Sequence, residues 1–328
     1  MTDGATVRMD SIPDAIAAIG RGESVIVVDD EGRENEGDLI FAAEKAETAR
    51  TAFMIRHTSG YICVGMTGED LDRLELPPMT IVNEDRKGTA YAITVDARDV
   101  TTTGISAEDR SITIRALGSP HTSARDLTRP GHVMPLRAVD GGVLHRPGHT
   151  EAAVDLARLA GLQPAGALCE MVNDDGTMMD AAQCRAFADE HGLLLVSIAD
   201  LIRFRRMSER LVERAATTPL PTEYGDFTII GYRSLVDSSE HAALISGDIG
   251  DGEDVLVRVH VECLAGDALL STACKCGSRL HTSLELISKE GRGVVLYLRP
   301  PGDRQVPLGG HASTSGAVDP LEYGLGAQ

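Results

Sequence analysis

At 328 residues the chain has room for two domains, at about 100–200 residues each. Its net charge of −19, from 31 basic and 50 acidic side chains, argues against nucleic acid or an anionic membrane as partner, because both need clustered Lys and Arg. No apolar run approaches the roughly 18 residues of a membrane span, and residues 1–10 lack the basic and apolar regions of a signal peptide, so the expected compartment is the cytoplasm. Six cysteines in such a chain are expected as thiols rather than disulfides. Trp is absent and aromatics make up 3%, which leaves the core to aliphatic residues, Ala and Met.

Apolar residues at Ile12, Ala15, Ile16 and Ile19 predict a helix over 11–20 with Ser11 as its cap. Residues 24–28 read as a β-branched strand, followed by an acidic segment over 29–38 and a second apolar strand over 39–43. Helical patterns cover 48–57, 107–116, 150–160, 180–191 and 199–215, and strand-like runs cover 61–66, 91–96, 167–172 and 194–198. The alternation predicts an α/β domain of α+β type, a mixed sheet with helices, over 1–205. Thr217-Thr218-Pro219-Leu220-Pro221 reads as a break. Strands over 227–232, 242–245, 255–261 and 294–298 and a helix over 278–289 then predict a smaller α/β domain within 206–328, Gly- and Pro-rich from Arg299 onward.

Three segments carry candidate chemistry. Asp29-Asp30-Glu31-Gly32-Arg33-Glu34-Asn35-Glu36-Gly37-Asp38 packs carboxylates that repel one another unless solvated or gathered around a divalent cation. Glu34 and Glu36 share a face in an extended chain, and Arg33 supplies a planar donor for an anion. Arg129-Pro130-Gly131-His132-Val133 and Arg146-Pro147-Gly148-His149-Thr150-Glu151 both combine Arg, Gly and His. The second leads into a helix whose N-terminus suits a phosphate, with His149 a candidate metal ligand. His132, after Pro-Gly, is placed in a turn that could display a general acid or base; the competing reading is two loop histidines without chemical use. Glu170 lies within an apolar run, where a carboxylate must be paired, metal-bound or neutral, unless it faces solvent on an edge strand. Burial there would raise its pKa toward acid–base work. Cys63, Cys169 and Cys184 read as small core residues. Ser106 with Asp109 has the spacing of a capping box, and Thr101-Thr102-Thr103-Gly104 before it could hydrogen-bond a sugar.

Taken together and in order, Arg33-Glu34-Asn35-Glu36-Gly37-Asp38, Thr103-Gly104-Ile105-Ser106, the two Arg/Gly/His runs and Glu170 closely resemble 3,4-dihydroxy-2-butanone 4-phosphate synthase of riboflavin biosynthesis, from about residue 9 to 205. The resemblance implies a homodimeric α/β fold with active sites at or near the subunit interface, and rearrangement of ribulose 5-phosphate with loss of C4 as formate. It implies Glu34 and His149 as metal ligands, with Glu36 in support. Arg33, Glu34, Asp38, Arg146, Pro147, Gly148, His149, Thr150 and Glu170 would hold substrate, with Thr103 and Cys63 nearby. His132 and Glu170 would carry protons. Mg²⁺, or alternatively Mn²⁺, suits such an oxygen-rich site.

Arg258-Val259-His260-Val261-Glu262-Cys263-Leu264-Ala265-Gly266-Asp267 and Cys274-Lys275-Cys276-Gly277 resemble GTP cyclohydrolase II. Cys263, Cys274 and Cys276 match its zinc site, three thiolates with an open fourth position. The resemblance then breaks. A Gly-rich Glu/Arg segment is replaced by Pro300-Pro301-Gly302-Asp303-Arg304-Gln305-Val306-Pro307-Leu308, a long stretch is missing, and the family's last strands do not follow. Asp319 matches the family's proton acceptor, but Leu321 stands where a nucleophilic Arg is expected, and a leucine cannot replace a guanidinium. The expectation is a synthase fused to a truncated cyclohydrolase-like domain that retains zinc and has lost GTP hydrolysis. The alternatives are a bifunctional enzyme and a non-catalytic scaffold or regulator; a metal-dependent phosphosugar isomerase or aldolase also fits the residue types alone.

Overall fold

A computed structural model of the chain describes residues 7–299. The expectations that concern Pro300–Leu308, Asp319 and Leu321 lie outside the described residues. The chain divides into two compact units, with the division between Phe204 and Arg205.

In chain order the first unit contains α1 (Ile12–Arg21), β1 (Val25–Val28), β2 (Gly37–Ala42), α2 (Thr48–His57), β3 (Cys63–Met66), α3 (Gly68–Arg73), β4 (Val95–Ala97), α4 (Ala107–Leu117), β5 (Leu127–Arg137), α5 (His149–Leu159), β6 (Ala165–Glu170), α6 (Ala181–His191), β7 (Leu194–Ser197) and α7 (Ile198–Ser208), the last crossing into the second unit. Ser11 caps α1, its Oγ accepting from Asp14 N, and Gly22 ends it in the left-handed conformation. The seven strands run β4-β5-β3-β6-β2-β1-β7. The pairs β1/β7 and β3/β5 are parallel and the rest antiparallel, so the sheet is mixed.

Both faces are covered, which is why the central strands are apolar throughout. Ile26, Val28, Leu39, Phe41 and Cys169 pack on one side with Met54 of α2, Ile114 of α4 and Cys184 of α6. Val25, Val27, Ile40, Cys63, Met134 and Leu168 pack on the other with Ile19 of α1 and Ala152, Ala153 and Leu156 of α5. The second face carries the candidate active site at one end.

The second unit adds β8 (Val212–Thr222), β9 (Gly225–Ser234), β10 (Glu240–Ser246), β11 (Val257–Val261), α8 (Cys276–Glu290) and β12 (Gly293–Leu298), with sheet order β11-β12-β10-β9-β8. Its buried cluster is Phe227, Leu284, Ile287 and Val295. Among the described residues no helix is long and apolar enough to cross a membrane.

Several expectations need correction. The helix expected to 215 stops at Ser208, and the break expected at 217–221 is the interior of β8. Pro219 and Pro221 are tolerated because β8 is the edge strand, where a missing N–H costs no ladder bond. The run around His132 is not a turn but part of the 11-residue β5. The strand expected over 91–96 shrinks to β4. Glu170 does not sit in mid-strand; it is the last residue of β6 and is half-buried.

Candidate active site

Strand register brings the acidic residues together. Asp38, second in β2, pairs with Glu170 of β6, and paired residues point to the same face. In the same ladders Cys63 of β3 pairs with Leu168 and with Met134 of β5. His132 therefore stands at that same end of the sheet, two residues before Met134. His149, the first residue of α5, descends onto this face from the helix layer.

The acidic loop between β1 and β2 is organised by Asp29, whose role the sequence did not reveal. Its Oδ2 accepts from Arg33 Nη1 at 3.0 Å and Glu34 N at 3.1 Å, and its Oδ1 from Glu36 N at 3.0 Å. Asn35 takes a left-handed turn at φ 56°, a conformation Asn tolerates better than most residues. Arg33 Nη1 also meets Glu34 Oε2 at 2.6 Å. Glu34 Oε2 in turn lies 3.6 Å from His149 Nδ1, and Asp38 Oδ1 lies 4.0 Å from the same nitrogen. Arg33, Glu34, Asp38 and His149 thus form one cluster.

Electrostatics there are those of a buried acidic site. Burial lifts the Asp38 carboxyl to about 7, with the charges of Glu170, Glu36 and Glu34 adding to it against the pull of His149. Burial, then the charges of Glu34 and Glu170, also raises Glu36. The hydrogen bond from His149 and the charge of Arg33 outweigh burial at Glu34 and hold it down at about 2. At His149 burial opposes the charge, but Asp38, Glu34 and Asp29 together raise the ring to about 9. Asp38 Oδ1 and His149 Nε2 are buried without a hydrogen-bond partner, an expensive state. Ligand atoms of Asp29, Glu34 and His149 lie within 4.8 Å of one another. Two orphaned polar atoms beside a hard carboxylate set fit a divalent cation, for which Asp29, Glu34 and His149 are the candidate ligands.

The turn before α5 is rigid. Arg146 Nη1 pairs with Glu151 Oε2 at 2.6 Å, and Arg146 Nη2 donates to Lys87 O at 3.1 Å. Glu151 is fully buried and its Oε1 accepts from Val139 N at 3.0 Å. A Cβ on Gly148 would lie 2.3 Å from Arg146 Nη1 and 2.6 Å from Glu151 Oε2, so a side chain there would displace that ion pair. As N-cap residue Gly148 offers no side-chain oxygen to the first helical N–H groups, which suits an anion in that place. Pro147 is exposed and Thr150 buried beside it.

Glu170 is held by a residue absent from the expectations. Ser59 Oγ donates to Glu170 Oε2 at 2.7 Å, and Ser59 N donates to Glu170 O at 2.8 Å. Cys63 and Cys169 are buried thiols; burial pushes both up, Cys169 to about 11.

His132 belongs to a second cluster. Its Nδ1 is 2.8 Å from Asp96 Oδ2, and its backbone N–H donates to Asp96 Oδ1 at 2.9 Å. No hydrogen bond or ion pair among the described residues joins this pair to the His149 cluster. Thr103 is exposed beside it. Ser106 Oγ accepts from Asp109 N at 3.0 Å, half of the expected capping box. The other half is not made, because the Asp109 carboxylate accepts from Thr102 N, Thr102 Oγ1 and Gly104 N instead. That carboxylate fixes the Thr-Gly turn. Asp29, Ser59, Asp96 and Glu151 could not have been found from local pattern, since each acts on a group that only the fold or a turn brings near.

In the second unit Cys263, Cys274 and Cys276 present their Sγ atoms within 4.8 Å of one another, with Cys263 and Cys274 at 3.8 Å. Cys263 opens the short helical turn Leu264–Ala268, and Cys276 begins α8. The backbone N–H of Cys276 stabilises the Cys274 thiolate and lowers that thiol, whereas burial and the two neighbouring sulfurs push Cys276 up to about 12. Asp267 Oδ2 collects His260 Nε2 at 2.9 Å, Cys263 N at 2.8 Å and Tyr297 Oη at 2.9 Å. Three convergent thiols backed by an anchored carboxylate fit tetrahedral zinc with one open position.

Fold and site define an α/β enzyme of acid–base chemistry. Residues 13–204 match the profile of 3,4-dihydroxy-2-butanone 4-phosphate synthase, and residues 213–314 match that of GTP cyclohydrolase II. The chain is 60% identical over 303 residues to the riboflavin biosynthesis protein RibBA of Nocardia farcinica, covering 92% of this chain and 73% of that protein. It is 54% identical over 344 residues to RibBA of Mycobacterium bovis, covering 98% and 81%. Among solved structures, RibBX, a two-domain 3,4-dihydroxy-2-butanone 4-phosphate synthase from A. baumannii, superposes with a TM-score of 0.73 at 38% identity, over 92% of this chain and 84% of that one. A 3,4-dihydroxy-2-butanone 4-phosphate synthase in complex with two magnesium ions gives a TM-score of 0.60 at 46% identity, over 61% and 98%. The chain belongs to the 3,4-dihydroxy-2-butanone 4-phosphate synthase family and is an enzyme of riboflavin biosynthesis, with a GTP cyclohydrolase II domain behind the synthase.

Proposed function

We propose that the first unit converts D-ribulose 5-phosphate to L-3,4-dihydroxy-2-butanone 4-phosphate and formate, with Mg²⁺ held by Glu34 and His149. The observation that carries this reading is the convergence of Glu34 Oε2 and the buried, unpartnered Asp38 Oδ1 on His149 Nδ1, at 3.6 and 4.0 Å. The cation supplies Lewis-acid polarisation of a carbonyl and its neighbouring hydroxyl. The α5 N-terminus and the Arg146–Thr150 turn anchor the uncleaved phosphate. Arg33 tightens the acidic loop, and Asp38, raised toward neutrality, hydrogen-bonds substrate hydroxyls. Thr103 contributes a hydroxyl at the rim. His132 and Glu170 move protons at the sugar carbons, and the two groups differ in partner, Asp96 for one and Ser59 for the other.

For the second unit we propose zinc on Cys263, Cys274 and Cys276 without GTP hydrolysis, because Leu321 replaces the expected guanidinium. The likeness to a two-domain synthase over 92% of the chain supports one activity from two domains. The competing bifunctional reading needs the same cysteine triad. A homodimer is supported by Met79, Ile81 and Val82, exposed at 50%, 103% and 68% in the segment whose Lys87 carbonyl holds Arg146. Six free thiols support a reducing compartment, the cytoplasm.

Both parent reactions release formate. Formate from ribulose 5-phosphate with Mg²⁺, and none from GTP with Mg²⁺ and Zn²⁺, is the expected result on one preparation. Formate from both substrates establishes the bifunctional enzyme, and formate from neither, with folded protein, sinks the synthase chemistry.

A further inference from the structure

We propose that Asp96 is a positioning residue for His132: its carboxylate keeps the ring proton on Nδ1 and aims Nε2 at the substrate as the proton-transferring atom. The inference rests on the reading of His132 as a proton carrier and goes beyond it by assigning the atom and the residue that selects it.

One carboxylate grips His132 twice. Asp96 Oδ2 stands 2.8 Å from Nδ1, and Oδ1 accepts the backbone N–H at 2.9 Å. A carboxylate only accepts, so Nδ1 is the donor and the ring's lone pair is left on Nε2. The Asp96 side chain is 12% exposed, whereas that of His132 is 42% exposed. The orienting group is therefore buried and the reacting ring is open.

The surrounding backbone is shaped for this pair. Val95 pairs with Val133, but the next residue, Asp96, pairs with Thr128. Residues 129–132 therefore stand out of the ladder, a bulge of the kind that re-aims a side chain. A Cβ on Gly131 would lie 1.9 Å from the Val95 carbonyl carbon, so a side chain there would lift the bulge off β4. From the other side Gly104, at φ +88°, presses on the dyad, and a Cβ there would lie 2.2 Å from Asp96 Oδ2 and 2.5 Å from His132 Nδ1. Asp109 holds Gly104 N in place at 3.1 Å. Gly104 thus backs the point where ring and carboxylate meet, a place that only a residue without a side chain leaves free. A carboxylate that sets the tautomer of a proton-transferring imidazole is a recurring catalytic arrangement, and its loss costs orders of magnitude in turnover through the wrong tautomer.

The test uses the full chain with ¹⁵N-labelled histidine, at pH 8.5, where an ordinary imidazole is neutral. Long-range ¹H–¹⁵N correlation spectra report the tautomer, with the His132 signals assigned by their loss in His132→Ala. The Nδ1–H tautomer is expected in the native protein. In Asp96→Asn the His132 backbone N–H claims the amide oxygen, so the amide NH₂ faces Nδ1 and the proton moves to Nε2. Turnover for formate release is expected to fall on the order of 10²–10⁴-fold, with KM within about threefold and partial recovery in Asp96→Glu. An Nε2–H tautomer in the native protein overturns the proposal without any variant, including the case in which Asp96→Asn does not fold. Native turnover in a folded Asp96→Asn overturns it as well. Native turnover in His132→Ala is a separate outcome and removes the proton role on which the proposal rests.

Discussion

The oxygen-lined site of the first unit draws Glu34, Asp38, His149 and Glu170 from a loop, two strands and a helix start. The sulfur site of the second unit takes its three ligands from residues 263–276 alone. The first depends on a mixed sheet whose antiparallel β2/β6 pairing places Asp38 against Glu170. The second depends on one turn and one helix start. A site assembled across a fold reports on the integrity of that fold, whereas a site folded from a short segment can outlast the loss of its domain's chemistry. The cysteine triad can therefore remain whether or not its domain still hydrolyses GTP, and its presence alone says little about GTP.

The sharpest way to break this contrast is to disable one site and read the other. Glu170→Gln keeps size and hydrogen bonding to Ser59 but removes the ionisable group, and is expected to lower turnover on ribulose 5-phosphate on the order of 10²–10⁴-fold. Its zinc content should equal that of the unaltered protein. Retained turnover in a steady-state formate assay would remove Glu170 from the proton-carrying pair. In the reverse experiment Cys274→Ser should take zinc, measured by atomic absorption after dialysis, from about one per chain to near none, since a structural or catalytic site needs its full thiolate set. Formate release from the sugar phosphate is expected to stay within about twofold. A matching loss of synthase activity would show that the two sites are coupled, and the second unit would then act on the first.

What could be read from the sequence divides along the same line. The cysteine triad was legible because its three thiols are close in the chain. The helix start at Ser11 was legible because capping is local. The acidic loop and the two Arg/Gly/His runs marked the synthase site, but only resemblance said that they meet. Asp29, Ser59, Asp96 and Glu151 stayed hidden: Ser59 and Asp96 act across strands, and Asp29 and Glu151 act within turns whose shape was unknown. β5 was misread as a turn because Pro130 and Gly131 are strand breakers in general, and the bulge that accommodates them is a tertiary feature. The edge position that lets β8 keep Pro219 and Pro221 is likewise set by strand order, which no local window contains.

A smaller effect sharpens the contrast in stability. Glu151 and Arg146 form a pair with side chains 1% and 18% exposed. Removing one partner of a buried pair leaves the other charged and costs about 3–5 kcal/mol. Glu151→Ala should lower the unfolding free energy of the first unit by roughly that amount and raise KM for the sugar phosphate, because Arg146 loses its anchor. Denaturation followed by a probe in each unit reads this directly. An equal fall in both units would show that they unfold as one body, and no fall would remove the anchoring role.

The mildest test is a titration of cation binding. In the metal-free protein His149 is raised from 6.5 to about 9 by Asp38, Glu34 and Asp29 against burial. Its contribution to stability is then complete below pH 6.5 and is lost as pH rises through about 9. Glu34, lowered from 4.5 to about 2, contributes fully above pH 4.5 and loses that contribution as pH falls toward about 2. Asp38, raised from 3.8 to about 7 by burial, imposes a penalty that grows as pH rises from 3.8 and is complete above about 7. A divalent cation reverses the first and last of these terms, since it needs a neutral imidazole and welcomes the carboxylate charge. Mg²⁺ affinity should therefore rise with pH between about 6.5 and 9, by up to about tenfold per unit from the His149 proton alone. The melting temperature should respond to Mg²⁺ more strongly at pH 8.5 than at pH 6.5. In His149→Gln, which has no proton to displace, the Mg²⁺ response should be weaker and its pH slope shallower. An unchanged slope in that variant would mean that the imidazole is not a ligand and that the cation is held by carboxylates alone.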